Sequence, residues 1–272
     1  MRRAFLIWPL LTVLALPLPA FADARLSVLV DVLGLSQVAG ILRDEGLDSA
    51  QDLNIEMLNG QGGAGWQVQV EAIYDPGRIV EAVRTALARE LQGETLEQTV
   101  DFFASDLGGR IVALENSARV AIHDPDVEEA ARKRYRDLQH GEDARLQMIR
   151  GLVADGDMVE RNVTTAINSN FQFLRGLSDG DGLDMTEDEM LDEVSGEVEV
   201  IRADTLSWLY GYLLMAYSPL TDAELQAYID FGTTTAGQAL NRALFDGFGA
   251  AYEDISYALG RAVALNAMAT EL

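Results

Sequence analysis

The sequence predicts an all-α fold, a multi-helix bundle built from two related helical half-units joined by a central helix pair. Apolar residues recur at helical spacing along most of the chain, and no run alternates as a strand would. One short signature also occurs twice, 129 residues apart: Asp101-Phe102 precedes Gly108, and Asp230-Phe231 precedes Gly237. A repeat of this kind indicates how a molecule is assembled.

The first 22 residues predict a secretory leader. Arg2 and Arg3 precede an uncharged apolar stretch, and Ala20-Phe21-Ala22 forms a small-x-small cleavage site. The alternative is a retained membrane anchor, but the stretch is interrupted by prolines and falls short of the roughly 20 residues that a span requires. We expect cleavage before Asp23, no integral membrane span afterwards, and a periplasmic location.

The first predicted half-unit covers residues 23–122. Helices are expected near its start, followed by an acidic, glycine-rich connection over 44–65 that surrounds a short helix. Pro76 suits the first turn of the next helix, with Asp75 as its cap. The first signature helix then extends to about Ala121.

The remaining chain divides into connecting helices over 123–154 and a second half-unit over 155–272. Asp124-Pro125-Asp126 begins the connection. Capping boxes start helices at Thr186 and Thr221 in the second half-unit. The pattern also allows one continuous domain over 23–272.

Composition restricts the classes of function. The formal net charge of −24 argues against nucleic acid, because a phosphate backbone requires a basic surface. It permits cationic partners or divalent ions, although a solvated acidic surface explains it as well. Cysteine is absent, which excludes thiol catalysis and thiolate metal sites, and Lys133 is the single lysine, which disfavours lysine-dependent chemistry.

The repeated signature predicts helix packing rather than a ligand site. Phe102 and Phe231 are expected on apolar faces. Gly108 and Gly237 would each cost about 1 kcal/mol relative to alanine inside a helix, so each requires a close backbone approach or a kink. With Ser105 and Thr234 three positions earlier, the glycines would form small-residue strips that admit another helix.

The first signature also resembles a known family. Phe102-Phe103-Ala104-Ser105-Asp106-Leu107-Gly108 is similar to a stretch of the domain of unknown function 2059 family. The second copy departs from that pattern with Gly232 and Thr234 in place of an aromatic residue and serine. The resemblance covers two short stretches. It implies an exported bacterial helical protein, and it brings no catalytic residues.

Other motifs are weak. Gly60–Gly65 satisfies a dinucleotide fingerprint formally but lacks its strand–helix context, so we expect a hinge and no cofactor. Asp179–Asp184 departs from the EF-hand loop, so the segment predicts either a turn or an irregular divalent-metal site. His123 and His140 are too few for the common zinc patterns. We therefore assign no catalytic, cofactor-binding or metal-binding residue.

An uncharged segment over 205–221 is rich in aromatic residues. It predicts a central helix that is buried all round. The alternative is a groove for an apolar ligand, contacted by Trp208 and Tyr212, or for a partner helix.

Three functions remain open. The leading one is a non-enzymatic binding or interaction protein of the cell envelope, whose partner is an envelope protein or an apolar ligand. The second is an apolar-ligand or lipid carrier that uses the 205–217 segment. The third is a carboxylate-dependent hydrolase, whose sign would be two desolvated carboxylates facing each other across a cleft.

Overall fold

The computed structural model describes residues 18–270, and all regular secondary structure within that range is helical. The helices are α1 (Leu18–Val32), α2 (Leu35–Leu58), α3 (Gly63–Ile73), α4 (Pro76–Glu90), α5 (Glu94–Phe103), α6 (Asp106–Ile122), α7 (Pro125–Leu138), α8 (Ala144–Asp155), α9 (Met158–Asp179), α10 (Glu187–Gly196), α11 (Val198–Ala216), α12 (Asp222–Thr233) and α13 (Thr235–Thr270). The prediction of an all-α multi-helix bundle is confirmed. The predicted leader lies largely outside the described residues, and its cleavage stays a prediction.

Helix α2 is longer than the sequence predicted. The expected connection over 44–65 was wrong in its first part, because the helix continues to Leu58. Leu42, Gly46 and Ala50 recur every four residues and are buried, so they form a helical stripe within an acidic segment. Exposed carboxylates on the other face are compatible with a helix, and they concealed this stripe in the sequence.

Two sets of six helices follow one another in the same order, α1–α6 and α8–α13, with α7 between them. Helix α1 packs on α5 as α8 packs on α12, and α2 packs on α4 as α9 packs on α11. The turns before α2 and α9 also match: Gly34 (φ 61°) and Asp157 (φ 50°) are both left-handed. Helix α8 therefore corresponds to α1, although the sequence placed residues 144–154 in the connection.

The hydrophobic core repeats this correspondence. One cluster is formed by α1, α4, α5 and the start of α13, with Leu29, Leu87 and Val100 at its centre. A second is formed by the corresponding helices α8, α11, α12 and α6, with Ile149 and Leu225 fully buried. A third joins α2, α3, α9 and the later part of α13. We propose that the two halves arose by internal duplication.

Helices α9 and α13 pack with their backbones nearly in contact. A Cβ atom on Gly176 would lie 2.1 Å from the carbonyl oxygen of Tyr257, and one on Gly260 would lie 2.1 Å from that of Phe173. Only glycine fits at both positions. Close helix contact through glycine therefore occurs at this crossing, which the sequence patterns did not single out.

In the described part of the chain, no single helix is both long and apolar enough to cross a bilayer. One pair, Asp23–Val32 with Leu35–Leu58, meets that criterion by length and composition, with a bend of 54° between its members.

Candidate functional site

Each copy of the signature forms a corner between two helices. In the first, α5 ends at Phe103 and Ser105 is the N-cap of α6, with φ −73° and ψ 161°. The hydroxyl of Ser105 accepts a hydrogen bond from the Gly108 amide at 3.1 Å and donates one to the Phe102 carbonyl at 2.6 Å. It therefore pairs a free amide of one helix with the end of the other.

The second corner has the same geometry. Thr234 has φ −70° and ψ 162° and is the N-cap of α13. Its hydroxyl accepts from the Gly237 amide at 3.0 Å and donates to the Phe231 carbonyl at 2.6 Å. The sequence placed both signatures inside continuous helices, and the structure shows a break in each.

The signature glycines serve these corners. A Cβ atom on Gly108 would lie 2.2 Å from the Phe102 carbonyl oxygen, and one on Gly237 would lie 2.2 Å from that of Phe231. The predicted close approach is present, but it joins consecutive helices at a break. The prediction that these residues form a small-residue strip for packing of a distant helix was wrong, because Ser105 and Thr234 act as helix caps.

The two corners meet through their aromatic side chains. The rings of Phe102 and Phe231 stack with centroids 4.1 Å apart and planes inclined by 13°. Phe103 approaches Phe231 edge-on at 5.7 Å. Tyr228 also stacks on Phe102, at 6.1 Å. An aromatic column therefore leads from the corners towards the interior.

A cavity of about 370 Å³ lies beside the second corner. Phe231, Gly232 and Gly237 line it, together with residues of α2, α6, α8, α9, α11 and α13. Its size is within the range of small-molecule sites. Asp155 also belongs to the lining and is exposed, so the cavity reaches the surface near the connection between α8 and α9.

The difference between the two signatures accounts for space in this cavity. Position 103 carries a buried phenylalanine, whereas the corresponding position 232 carries glycine. A Cβ atom on Gly232 would meet only Leu152, at 3.7 Å, within the described structure. The second corner thus lacks an aromatic ring that the first one has.

Glu115 is the acidic group of the cavity interior. The Tyr217 hydroxyl donates to its Oε1 atom at 2.6 Å, and the Tyr228 hydroxyl donates to the same oxygen at 3.2 Å. The Tyr212 hydroxyl donates to the Glu115 backbone carbonyl at 3.0 Å. Oε2 has no hydrogen-bond partner among the described residues and keeps some accessible surface, at a residue that lines the cavity.

Burial raises the pKa of Glu115 above its ordinary value, and the hydrogen bonds from Tyr217 and Tyr228 offset only part of that effect. The carboxyl lies deep in the protein, while the residue as a whole is only partly buried and lines the cavity. Burial also raises the pKa of both tyrosines, so their hydroxyls remain donors.

Arg119 lies one helical turn beyond Glu115 and also lines the cavity. Its Nε and Nη2 atoms donate to the two carboxylate oxygens of Glu45 at 2.7 and 2.6 Å. The pair is bidentate, and its charges balance. The guanidinium also lies 5.1 Å from the Trp208 ring centroid, and Trp208 stacks on Tyr212.

A second cavity of about 210 Å³ lies against the first corner. Glu115, Arg119, Tyr212 and Tyr228 line both cavities, while Phe103 lines only the second. The polar cluster therefore stands between two hollows, one beside each corner.

Two arginines hold the turn that connects α11 to α12. Arg145 donates to the carbonyl oxygens of Tyr217 and Leu220 and pairs with Asp222 at 2.6 Å. Arg110 donates to the Pro219 carbonyl at 2.6 Å. This turn lies between Tyr217 and Tyr228, so the arginines help to fix both hydroxyls relative to Glu115.

Only some of the site residues predicted from the sequence line the cavity. Tyr212, Phe231 and Gly237 line the cavity. Phe102 stacks behind Phe231, and Trp208 lies behind Tyr212 without lining either hollow. The expectation that the signature marks packing alone was therefore incomplete.

Sequence reasoning missed Glu115. Its neighbours on the same stripe, Ile111, Ala118 and Ile122, are buried at positions four before and three and seven after it. A carboxyl on the apolar face of a helix is costly to bury without a partner. A charged residue on the apolar face of this helix was therefore the sequence signal that could have identified Glu115.

The weaker motifs have structural roles. In the glycine-rich segment, the Gly62 amide donates to Asn54 Oδ1 at 2.9 Å, and helix α3 begins at Gly63. Asp179 accepts a hydrogen bond from the Tyr257 hydroxyl at 2.9 Å. His123 Nε2 lies 3.1 Å from Asp48 Oδ2 at an exposed site. Across residues 18–270 no three acidic or histidine side chains are grouped to hold a metal ion.

Comparisons with family models, with curated proteins and with solved structures give no match to this chain. The resemblance to the domain of unknown function 2059 family therefore stays a prediction.

Proposed function

We propose that the protein is a non-enzymatic binding protein that holds a small, largely apolar molecule in the cavity beside the second corner. One observation carries this proposal: the cavity combines apolar walls with a deep carboxyl whose Oε2 atom lacks a protein partner. Sites for small molecules have this composition, with a few polar groups that orient the ligand. The apolar body would contact Leu213, Leu240 and Phe248.

An envelope location accompanies this proposal. It is supported by the leader-like segment over residues 1–22 and the family resemblance of the first signature. A protein that keeps an apolar molecule out of water would suit an aqueous compartment between membranes. Export and a carrier role are thus proposed together.

A carboxylate-dependent hydrolase has less support. Glu115 is the deep carboxyl of the cavity, and Glu45 is neutralised by Arg119 nearby. Asp155 is exposed. The described lining therefore offers no second desolvated carboxylate to face Glu115, which a paired acid–base mechanism requires.

Binding of the neutral dye N-phenylnaphthylamine tests the proposal. The dye fluoresces in apolar surroundings, so a saturable signal is expected with the native protein. Gly232→Phe should abolish it, because the new ring would occupy the space between the second corner and Leu152. Gly249→Leu should do the same from α13, where a Cβ atom would lie 3.6 Å from Thr165 Oγ1.

Gly151→Leu is the matched control. This glycine is in α8, and within the described structure nothing lies within 4 Å of its Cβ position. The control should bind the dye like the native protein. Circular dichroism should show the same helicity for all variants. Equal dye binding by Gly232→Phe, Gly249→Leu and native protein would overturn the proposal.

A further inference from the structure

When Glu115 is ionised, the cavity lining carries more negative than positive charge. Among the described residues, its charged members are Glu115, Arg119 and Asp155. Arg119 is matched by Glu45, whose two oxygens accept from the guanidinium. An anionic ligand would have to break that bidentate pair, and the whole chain carries a net charge of −24.

The hydrogen-bonding groups of the interior also favour a positively charged ligand. The hydroxyls of Tyr212, Tyr217 and Tyr228 already donate to Glu115. Oε2 of Glu115 has no hydrogen-bond partner among the described residues, and it accepts when it is ionised. The cavity therefore offers a ligand a carboxylate oxygen as acceptor, while the three tyrosine hydroxyls that contact Glu115 donate within the protein.

Aromatic side chains line the same cavity as this acceptor. Tyr212, Tyr228, Phe231, Phe248 and Tyr252 all line the cavity. The faces of such rings attract a positive charge, and rings grouped around a cation are a recurrent means of recognising ammonium groups. A carboxylate within the group adds a direct ionic partner.

We infer that the ligand is an organic cation, an apolar body with a positively charged nitrogen, whose nitrogen lies against Oε2 of Glu115 among the tyrosine rings. This inference rests on the proposed function and specifies its ligand class. A protonated amine would also donate an N–H hydrogen bond to Oε2. A quaternary ammonium would bind through charge and ring contacts alone.

Binding of the cation is coupled to the proton on Glu115. Burial favours the protonated carboxyl in the empty cavity, and a bound cation favours the carboxylate, so the proton leaves to solvent as the ligand enters. The other titratable groups facing this site are Tyr212 of α11, Tyr217 at the C-terminal end of α11, Tyr228 of α12 and Tyr252 of α13, with the exposed Asp155 of α8 at the edge of the cavity. The Arg119–Glu45 pair completes the set. The tyrosine pKa values are all raised, so Glu115 is the group that gives up the proton.

A series of probes with one octyl chain tests the inference by calorimetry. Octylamine and octyltrimethylammonium are cations, octanol is neutral, and octanoate is an anion. Both cations should bind about tenfold or more tightly than octanol, and octanoate should bind more weakly than octanol. Octylamine binding should release protons, measured in buffers of different ionisation enthalpy, and should tighten as the pH rises towards the raised pKa of Glu115.

Glu115→Gln separates charge from packing. Its amide keeps an oxygen that accepts from Tyr217 and Tyr228, so the variant should fold with the helicity of the native protein. Its preference for octylamine and its proton release should disappear. If octanol binds native protein as tightly as octylamine does, the ligand class is wrong while the proposed function stands. If no octyl probe and no N-phenylnaphthylamine binds, the proposed function itself fails.

Discussion

The rings of Phe102 and Phe231 are 129 positions apart in sequence and stack face to face, with 4.1 Å between centroids. Each ring occupies the same place in its own helix corner, and each carbonyl accepts from the cap that follows it. The contact therefore joins equivalent points of the two halves. It also places the second corner, with its glycine at position 232, beside the cavity.

A double-mutant cycle should detect this contact. Phe102→Leu and Phe231→Leu should each destabilise the fold, with a coupling free energy of about 0.5–1.5 kcal/mol, because the stacking is lost with either ring. Urea unfolding of the native protein, both single variants and the double variant measures the coupling. Phe102→Leu combined with Phe173→Leu, a residue packed on a different cluster, should be additive. Additivity in both cycles would contradict the stacking contact.

Alanine at either signature glycine should destabilise the protein. In Gly108→Ala and Gly237→Ala the new Cβ atom would meet a backbone carbonyl oxygen at 2.2 Å, which forces the corner open. The expected loss is about 1–3 kcal/mol or more. Gly109→Ala is the neighbouring control: its Cβ position has nothing within 4 Å in the described structure, so that variant should be neutral or slightly stabilised. Thermal unfolding that ranks Gly109→Ala with the other two would be inconsistent with the corner geometry.

The two caps should contribute equally. Ser105→Ala and Thr234→Ala each remove an acceptor from a glycine amide and a donor to a phenylalanine carbonyl. Each should cost about 1 kcal/mol. Thr234→Ser keeps both bonds and should be close to the native protein in stability. A large cost at one cap and none at the other would argue against equivalent corners.

Glu115 should make stability fall as the pH rises. Its pKa is higher in the folded state than in the unfolded chain, where the ordinary value is 4.5. Below that value both states are protonated, and the group has no effect on the pH dependence. Above it the unfolded chain ionises first, so the free energy of unfolding decreases until the folded pKa is passed.

Glu115→Gln should remove this part of the pH dependence. Relative to the native protein, the variant should gain stability as the pH rises from the unfolded value of 4.5 to the raised folded pKa. Well below 4.5, the difference in stability between the two proteins should not depend on pH. Chemical unfolding at several pH values measures the difference. Identical pH profiles for the two proteins would contradict a deep, neutral carboxyl.

The sequence predicted the fold more completely than it predicted the candidate site. Helical spacing identified the all-α class, and the capping patterns at Thr186 and Thr221 correspond to helix starts in the structure. The break at Ser105 was missed because the apolar periodicity continues across it, from Val100 in α5 to Ile111 in α6. The cap at Ser105 ends one helix and begins the next. Apolar periodicity alone does not reveal a cap within a continuous apolar stripe.

The cavity could not be predicted from local patterns. It depends on a side chain that is missing at Gly232 and on tyrosines from two helices that meet a glutamate on a third. Tyr212 was identified from its aromatic segment. Its link to Glu115, 97 positions earlier in the chain, exists only once α6 and α11 pack together.

Solution NMR with labelled leucine and isoleucine methyl groups tests the central claim most directly, by locating bound N-phenylnaphthylamine. Intermolecular contacts are expected from the dye to methyls of Ile229, Leu213 and Leu240, which line the cavity, and these should vanish in Gly232→Phe. Contacts confined to exposed methyls such as Ile55 and Leu191, unchanged in Gly232→Phe, would contradict a ligand site beside the second corner.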